Sequence, residues 1–179
     1  MAKQTIYLGA TAGDGTGTNL RSAGDMINDN FTELYGATGW QAMVDTTNTQ
    51  ALTGGVNNLI SFTGNLQENG GLVLMDSNAK ITPIALGDAI HVDFSFTVVV
   101  PSGTDHYLNI LFIVNGAIYR SNTFVYKKGV GTDDYISVSY FLPVGAVFLA
   151  NGGEIYINPD VAITIKNRYV SVIRTHKAI

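Results

Sequence analysis

The sequence contains no cysteine, and only 10 of its 179 residues are basic and 14 acidic. The absence of cysteine excludes a disulfide scaffold, a thiolate metal site and a cysteine nucleophile. Charged residues make up 13% of the chain, about half of the roughly 25% that is usual for soluble proteins. Hydrophobic residues reach 46%, and a chain so apolar and so weakly charged is not disordered. We therefore predict a folded, turn-rich protein.

Long hydrophobic runs and an excess of basic residues are also absent. The longest apolar run covers residues 141–150 and is broken by Pro143 and Gly145, whereas a membrane span needs about 20 residues. The first residues carry one lysine and no apolar segment, so we predict neither a secretory signal nor membrane insertion. A net charge of −4 argues against nucleic acid as a partner, because binding to it relies on neutralising phosphates.

Four apolar residues near the N-terminus follow helical spacing. They recur at intervals of seven, four and three, which places them on one stripe of a helix: Leu20, Ile27, Phe31 and Leu34. Thr18 or Asn19 can cap the start of this helix, and Gly36 can end it. Because most helical stability comes from packing, we predict that the stripe docks on another surface or forms an oligomer.

From residue 59 onward, apolar and polar residues alternate with the period of β-strands. The alternation is clearest over residues 90–100 and 134–142, and shorter candidates cover residues 72–75, 118–126, 154–158, 161–166 and 169–175. Asn115-Gly116 between two apolar runs is typical of a two-residue hairpin turn. So many short strands predict an antiparallel β-sandwich of the jelly-roll type. We divide the chain into an arm and helix at 1–36, a polar connector at 37–58 and a sandwich head at 59–179.

The predicted strand at residues 107–114 is apolar on both faces, because Leu111 and Ile113 alternate with the residues that face the core. One face fills the sandwich, and the other needs cover that a single sandwich of this size does not supply. We predict that a second copy of the chain covers it, which makes Leu111 and Ile113 candidate residues of an interface between copies.

The sequence shows no pattern of catalytic, metal-binding or cofactor-binding residues. His91, His106 and His176 are far apart and lack metal-ligand spacing, and the nucleophile motif G-x-S-x-G is absent. The glycine-rich run at residues 13–17 lacks the Gly-Lys-Ser/Thr of a phosphate-binding loop. We predict a protein that is not an enzyme and holds no metal or cofactor.

The last part of the chain carries positive charge only. Residues 161–179 include Lys166, Arg168, Arg174 and Lys177 and no acidic residue. Two interpretations stay open. This end docks on an acidic partner, or it is a last strand with solvated basic side chains, which is the commoner case.

The N-terminal segment resembles the attachment segment of tailed-bacteriophage fibre and appendage proteins. Residues 14–23 read DGTGTNLRSA and residues 27–35 read INDNFTELY, which is similar to the family pattern DGTG…LR.A…IN.NF.ELY. The resemblance implies a helix preceded by an attachment arm, with the arm residues Asp14, Gly15, Gly17 and Arg21. The family commonly has Phe where this chain has Gly24, so one layer of a coiled-coil seam is missing. This departure favours a helix that packs on a partner or on its own head domain over one that forms a trimeric coil.

The remainder of the chain resembles the jelly rolls of the TNF/C1q type, which implies a homotrimer. Two functions follow: a short trimeric tail fibre or fibre tip with an outward head, or a capsid decoration or head-fibre protein of the same architecture. The implied partners are further copies of the chain, other virion proteins of tail or capsid, and a host-surface glycan. The implied location is the virion, assembled in the host cytoplasm. Candidates for glycan contact are Tyr107, Tyr119 and Tyr135. An envelope-degrading enzyme is a third alternative, which the missing catalytic pattern disfavours.

Overall fold

The computed structural model describes residues 6–7, 15–35, 39–69, 72–99, 105–126 and 133–176. One long helix, α1, covers Leu20–Tyr35 and confirms the predicted N-terminal helix. Asn19 caps its start, because its Oδ1 accepts a hydrogen bond from the Ser22 amide at 2.9 Å. The predicted terminator Gly36 lies outside the described residues.

Ten strands follow the helix in the described part of the chain. They are β1 (Trp40–Asp45), β2 (Gln50–Leu52), β3 (Asn58–Leu59), β4 (Leu66–Asn69), β5 (Ala89–Val99), β6 (His106–Val114), β7 (Ala117–Tyr126), β8 (Asp133–Pro143), β9 (Glu154–Pro159) and β10 (Ile163–His176). A short second helix, α2, covers Ala146–Asn151. The predicted strand at residues 72–75 is reduced to an isolated bridge between Met75 and Ile81.

The strands form two antiparallel sheets that enclose one core. The six-stranded sheet has the order β4-β1-β10-β5-β8 with β2 beside β10, and the four-stranded sheet has the order β3-β9-β6-β7. The chain passes repeatedly from one sheet to the other, which gives the crossed connections of a jelly roll. The structure thus confirms the predicted fold class, a mainly β antiparallel sandwich behind a single long helix. The homotrimer stays a prediction.

Inward side chains from both sheets build the core. On β5 the fully buried Val92, Phe94 and Phe96 alternate with polar residues, as the sequence pattern predicts. From the four-stranded sheet, the Phe112 ring lies 5.4 Å from the Phe148 ring in edge-to-face geometry. Phe148 belongs to α2, so the apolar run that follows β8 forms a helix that covers part of the core.

Two asparagines in the left-handed region shape the strands. Asn115 has a φ of 49° and Gly116 a φ of 76°, which confirms the predicted hairpin turn between β6 and β7. Asn167, with a φ of 50°, lies at a register shift inside β10, so the two strands predicted there form one bulged strand. The bulge changes which alternate residues face inward, and Ile165 before it and Val170 after it are both fully buried.

The sandwich begins earlier than predicted. β1 and β2 lie within residues 37–58, the predicted connector, and β1 pairs with β10 over its whole length. The inward side of β1 carries the polar residues Gln41 and Asp45, which hides the alternation that identifies a strand. Gln41 is satisfied there, because its Oε1 accepts the amides of Leu74 and Met75 at 2.6 Å each. The head therefore starts at Trp40.

Candidate functional site

Large apolar side chains lie exposed on the side of the six-stranded sheet that points away from the core. We call this side the outer face. Its exposed apolar residues are Trp40, Val44, Val99, Tyr135, Phe141, Tyr169 and Ile173. Their exposed fractions run from 37% for Trp40 to 70% for Tyr135. Because soluble monomers rarely expose large contiguous apolar patches, such a face marks an interaction surface.

The strand register gathers these residues into rows. The first row consists of the successive cross-strand partners Trp40, Ile173, His91 and Phe141, on β1, β10, β5 and β8. Since neighbouring strands lie about 4.8 Å apart, this row extends roughly 14 Å across the sheet. Val44 and Tyr169 are partners on the same face, four residues further along their strands. Five of the seven apolar side chains thus form two bands, and Tyr135 and Val99 lie further along β8 and β5.

A row of small and polar residues separates the two bands. It consists of the cross-strand partners Ala42, Ser171, Asp93 and Ser139. Asp93 Oδ1 accepts a hydrogen bond from Ser139 Oγ and lies 3.1 Å from Nε2 of His91 in the neighbouring row. The side chains of His91 and Asp93 are each 38% exposed. This hydrogen-bonded group therefore lies at the centre of the outer face and is open to solvent in the single chain.

Charge is scarce on the outer face. Among its described strand residues, the charged groups are Asp93 and an ion pair in which Lys166 Nζ lies 2.5 Å from Asp133 Oδ2. The two charges of this pair compensate each other. A surface that is poor in charge and rich in aromatic rings has the composition of the core of a protein–protein interface.

The residues predicted for the trimer interface lie on the other sheet. Leu111 and Ile113 are on the outward side of β6, yet they are only 5% and 9% exposed in the single chain. Atoms of the same chain cover them, so a second copy could bury little further area there. β6 thus has the second apolar side that its sequence predicts, but the same chain covers that side at Leu111 and Ile113. Exposed apolar side chains occur elsewhere on this sheet, at Leu59, Tyr107, Ile118 and Val125, as well as on the six-stranded sheet.

The three tyrosines considered for glycan contact do not form one site. Tyr107 on β6 is 51% exposed and Tyr135 on β8 is 70% exposed, and they belong to different sheets. The Tyr119 hydroxyl donates to the Pro143 carbonyl at 2.7 Å, and the Arg120 guanidinium lies 5.0 Å above the Tyr119 ring. One face of the Tyr119 ring is therefore already occupied. Tyr135 belongs to the outer face.

The N-terminal segment presents a second exposed apolar surface. Ile27 and Phe31 on α1 are 44% and 52% exposed, so both side chains are partly accessible to solvent in the single chain. The Thr18 amide donates to the Tyr7 carbonyl at 2.7 Å and the Tyr7 amide to Thr18 Oγ1 at 3.1 Å, which brings the two ends of the glycine-rich loop together. Among the predicted arm residues, Gly15, Gly17 and Arg21 are exposed. Asp14 lies outside the described residues, as do the side chains of Leu20 and Leu34.

The basic residues near the C-terminus are mostly paired inside the chain. Arg168 and Arg174 point to the core side of β10 and are 1% and 4% exposed. Arg168 Nη2 lies 2.5 Å from Asp45 Oδ2, and Arg174 Nη2 lies 2.7 Å from Asp88 Oδ1. Neither open interpretation holds for these two arginines, because they are neither solvated nor available to an acidic partner. Lys177 lies outside the described residues.

The Asp45 carboxylate is held ionised by its surroundings. Burial alone would raise its pKa, but hydrogen bonds from the Thr63 hydroxyl, the Asn48 amide and Arg168 outweigh burial and hold the pKa well below its usual range. Asp45 and Arg168 are direct cross-strand partners on β1 and β10. The sequence offers no signal for this pair, because its members are separated by most of the chain.

A groove of about 530 Å³ runs between the edge strands β7 and β8, and Phe124, Tyr126 and Tyr135 are among its lining residues. Burial and the neighbouring Asp160 carboxylate raise the pKa of Tyr126 to about 12. The same carboxylate lies 3.0 Å from Nδ1 of His106. These polar groups contact one another, so they connect the ends of β6 and β7 with the residue that follows β9.

The three histidines remain separate, on β5, on β6 and at the end of β10. Across the described ranges there is no group of three or more His, Asp or Glu side chains that could hold a metal ion. Within those ranges no helix combines the length and apolar character needed to cross a membrane.

Comparisons with known proteins find similarity of fold. No protein-family model matches the chain, and no curated protein sequence matches it. PRD1 vertex protein P5 aligns with a TM-score of 0.50 and 11% identity over 78% of this chain and 73% of that one. The globular domain of zebrafish complement 1qA protein aligns with a TM-score of 0.45 and 10% identity over 75% of this chain and 93% of that one. Eiger TNF from S. frugiperda aligns with a TM-score of 0.46 and 6% identity over 79% of this chain and 94% of that one.

Proposed function

We propose that this chain is a non-enzymatic structural protein of a phage virion, a homotrimer whose residues 1–36 attach it to the particle. The attachment role rests on the resemblance of residues 14–35 to the N-terminal segment of phage fibre and appendage proteins. The fold shared with PRD1 vertex protein P5 is compatible with such a role. The observation that carries self-association is the exposed apolar outer face.

The outer face needs a partner with matching properties. Its bands are apolar and partly aromatic, and its charges are few, so a partner must offer an uncharged surface. A second copy of this chain brings such a surface with it. Phe141 at 60% exposure and Tyr135 at 70% lie on the edge strand β8, so apolar contact area continues to the rim of the sheet.

The edges of the sandwich favour a ring over a dimer. One side is bordered by short strands, β3 with 2 residues and β4 with 4, and the other by β7 with 10 and β8 with 11. Long uncovered edges are templates for pairing with other chains. If the outer face of one copy meets the long edge of the next, the two contact surfaces differ, and such contacts form a ring when the rotation between copies closes. A trimer is the smallest ring of this kind.

The helix offers the second contact surface of the assembly. Ile27 is 44% exposed in the single chain, and an added Cβ at Gly24 would meet nothing within 4 Å. The helix therefore has room for a partner on this side. In the proposed particle, either the helices of three copies pack together or each helix packs on a neighbouring virion protein.

The proposal leaves two positions on the particle. A short trimeric tail fibre with an outward head that contacts a host-surface glycan is the first candidate. A capsid decoration or head-fibre protein is the second, and the fold shared with PRD1 vertex protein P5 supports it. Labelling the chain with antibody on purified virions and viewing them by electron microscopy separates the two. Absence of the chain from purified particles would refute both.

Self-association is tested by one pair of matched variants. We expect the parent chain to sediment as a trimer of about 57 kDa, three times the 19.1 kDa of one chain. Phe141→Asp places a charge within the outer face and should yield monomers, because burying an unpaired carboxylate is costly. Ile118→Asp is the control: Ile118 is 59% exposed, against 60% for Phe141, but lies on the four-stranded sheet.

The outcomes of this pair distinguish the two sheets. A trimer that survives Ile118→Asp and is lost with Phe141→Asp supports the outer face as the interface. The opposite result would return the interface to the β6 side, where Leu111 and Ile113 were predicted to act. A parent chain that stays a 19 kDa monomer at all accessible concentrations would refute self-association.

A further inference from the structure

A titratable pair occupies the centre of the outer face. His91 Nε2 lies 3.1 Å from Asp93 Oδ1, and Ser139 Oγ donates to the same oxygen. Both strands that flank β5 contribute uncharged neighbours here: Ile173 on β10 and Phe141 on β8 are the cross-strand partners of His91. The pair thus combines a carboxylate and an imidazole in a setting that is otherwise apolar.

Of the other ionisable groups, His176 lies beside the row of His91, because its cross-strand partner Ala89 is two residues before His91 on β5. On the outer face, Lys166 and Asp133 form their own ion pair at its far end, and Tyr169 and Tyr135 lie in rows beyond Asp93. Arg174 and Asp88 form a buried pair on the core side of the sheet. β1 brings Trp40 and Ala42 to the rows of His91 and Asp93 and no charged group. Protonation of His91 therefore decides the net charge at the centre of the face.

From this placement, and resting on the proposed self-association, we propose that the trimer forms with uptake of protons on His91 and is strengthened by mild acid. With a neutral imidazole, each copy buries the net negative charge of Asp93 in the interface. With a protonated imidazole, His91 and Asp93 form an ion pair with no net charge, and the free energy cost of removing it from water is smaller. Burying a net charge costs more than burying a compensated pair, so assembly favours the protonated form.

The linkage between proton binding and assembly sets the direction of the pH dependence. A group that binds protons more tightly in the assembly than in the free chain stabilises the assembly at low pH, and this contribution is lost as pH rises. Imidazoles ordinarily titrate near pH 6.5, within the range where proteins stay folded. The concentration at which half of the chains are trimeric should therefore fall by about tenfold between pH 8 and pH 5.5.

The test is sedimentation velocity of the full chain over a concentration series at pH 5.5, 6.5 and 8. His91→Gln keeps a hydrogen-bond donor for Asp93 but does not titrate, so it should remove most of the pH dependence. Asp93→Asn removes the carboxylate, so protonation then adds an uncompensated charge, and the pH dependence should reverse. His176→Gln, at an exposed histidine at the end of β10, is the control and should keep the parent behaviour.

The outcomes separate this inference from the proposed function. Equal assembly of the parent at pH 5.5 and pH 8, or a pH dependence that persists in His91→Gln, overturns the role of His91 and leaves the trimer intact. A parent chain that is monomeric at every pH overturns self-association itself. General loss of charge repulsion near the isoelectric point would affect all four chains alike, and His91→Gln and Asp93→Asn would then follow the parent.

Discussion

The buried ion pair between Asp45 and Arg168 gives the sharpest prediction about stability. In Asp45→Asn the side chain keeps its size and an oxygen acceptor for Thr63 and Asn48, but its charge is lost. Arg168, 1% exposed, is then a buried cation without a compensating carboxylate. Removing one partner of a buried pair typically costs about 3–5 kcal/mol. Because hydrogen bonds to Asn remain, we expect the free energy of unfolding to fall by about 3 kcal/mol. This loss corresponds to a fall in Tm of roughly 6–12 °C for a chain of this length.

Urea unfolding followed by circular dichroism measures this loss. Protein concentration must be equal for all variants, because self-association would add to the apparent stability. Asp133→Asn is the matched control: it breaks the Lys166 pair, in which the two side chains are 34% and 40% exposed. An exposed pair contributes at most about 1 kcal/mol. If Asp45→Asn and Asp133→Asn cost the same, the reasoning from burial is refuted.

Two further measurements test whether the uncompensated charge of Arg168 causes the loss of stability. In Asp45→Asn/Arg168→Met the uncompensated cation is gone, so the double variant should be more stable than Asp45→Asn alone. The second measurement is the pH dependence. The pKa of Asp45 is depressed in the folded chain, so its contribution is present above the unfolded pKa of about 3.9 and is lost as pH falls below that value. Parent and Asp45→Asn should therefore converge in acid, and a constant difference would contradict this explanation.

Two other predictions concern the backbone and the arm. In Gly64→Ala the new Cβ would lie 1.8 Å from the Val44 carbonyl oxygen, so the chain should lose about 2 kcal/mol or more in urea unfolding; an unchanged midpoint would contradict the close approach. Deleting residues 1–36 should leave a sandwich that unfolds cooperatively, since the strands begin at Trp40, but should abolish incorporation into particles. Incorporation of the truncated chain at the parent level would contradict the attachment role.

The sequence was most informative where a strand has one buried and one exposed side. β5 and β8 follow period-two alternation over 11 residues each, and both were predicted nearly to their ends. The hairpin between β6 and β7 was equally accessible, because Asn115 and Gly116 are the residue types that a turn with two positive φ angles requires. These patterns depend only on residues close in sequence, so they can be recognised without knowledge of the tertiary structure.

Signals that depend on distant partners could not be found in this way. The sequence pattern does not reveal β1, because Gln41 and Asp45 occupy its inward positions and their partners lie at Leu74 and Arg168. The side of β6 that carries Leu111 looked uncovered for the same reason, since the sequence does not say which segment of the chain packs there. The outer face was missed because its exposed residues are distributed over β1, β5, β8 and β10 and become neighbours only through the register.

The buried arginines connect stability to the proposed assembly surface. Along β10 the inward positions after the bulge are Arg168, Val170, Val172 and Arg174, so an apolar centre is flanked by two charged ends. A shift of one residue in the pairing of β10 would move both arginines to the outer face and turn Tyr169 and Ile173 inward. Both carboxylates would then be buried without a compensating cation, which costs several kcal/mol for each. The two ion pairs therefore penalise the alternative register and, with the core valines, fix which side chains β10 presents on the outer face.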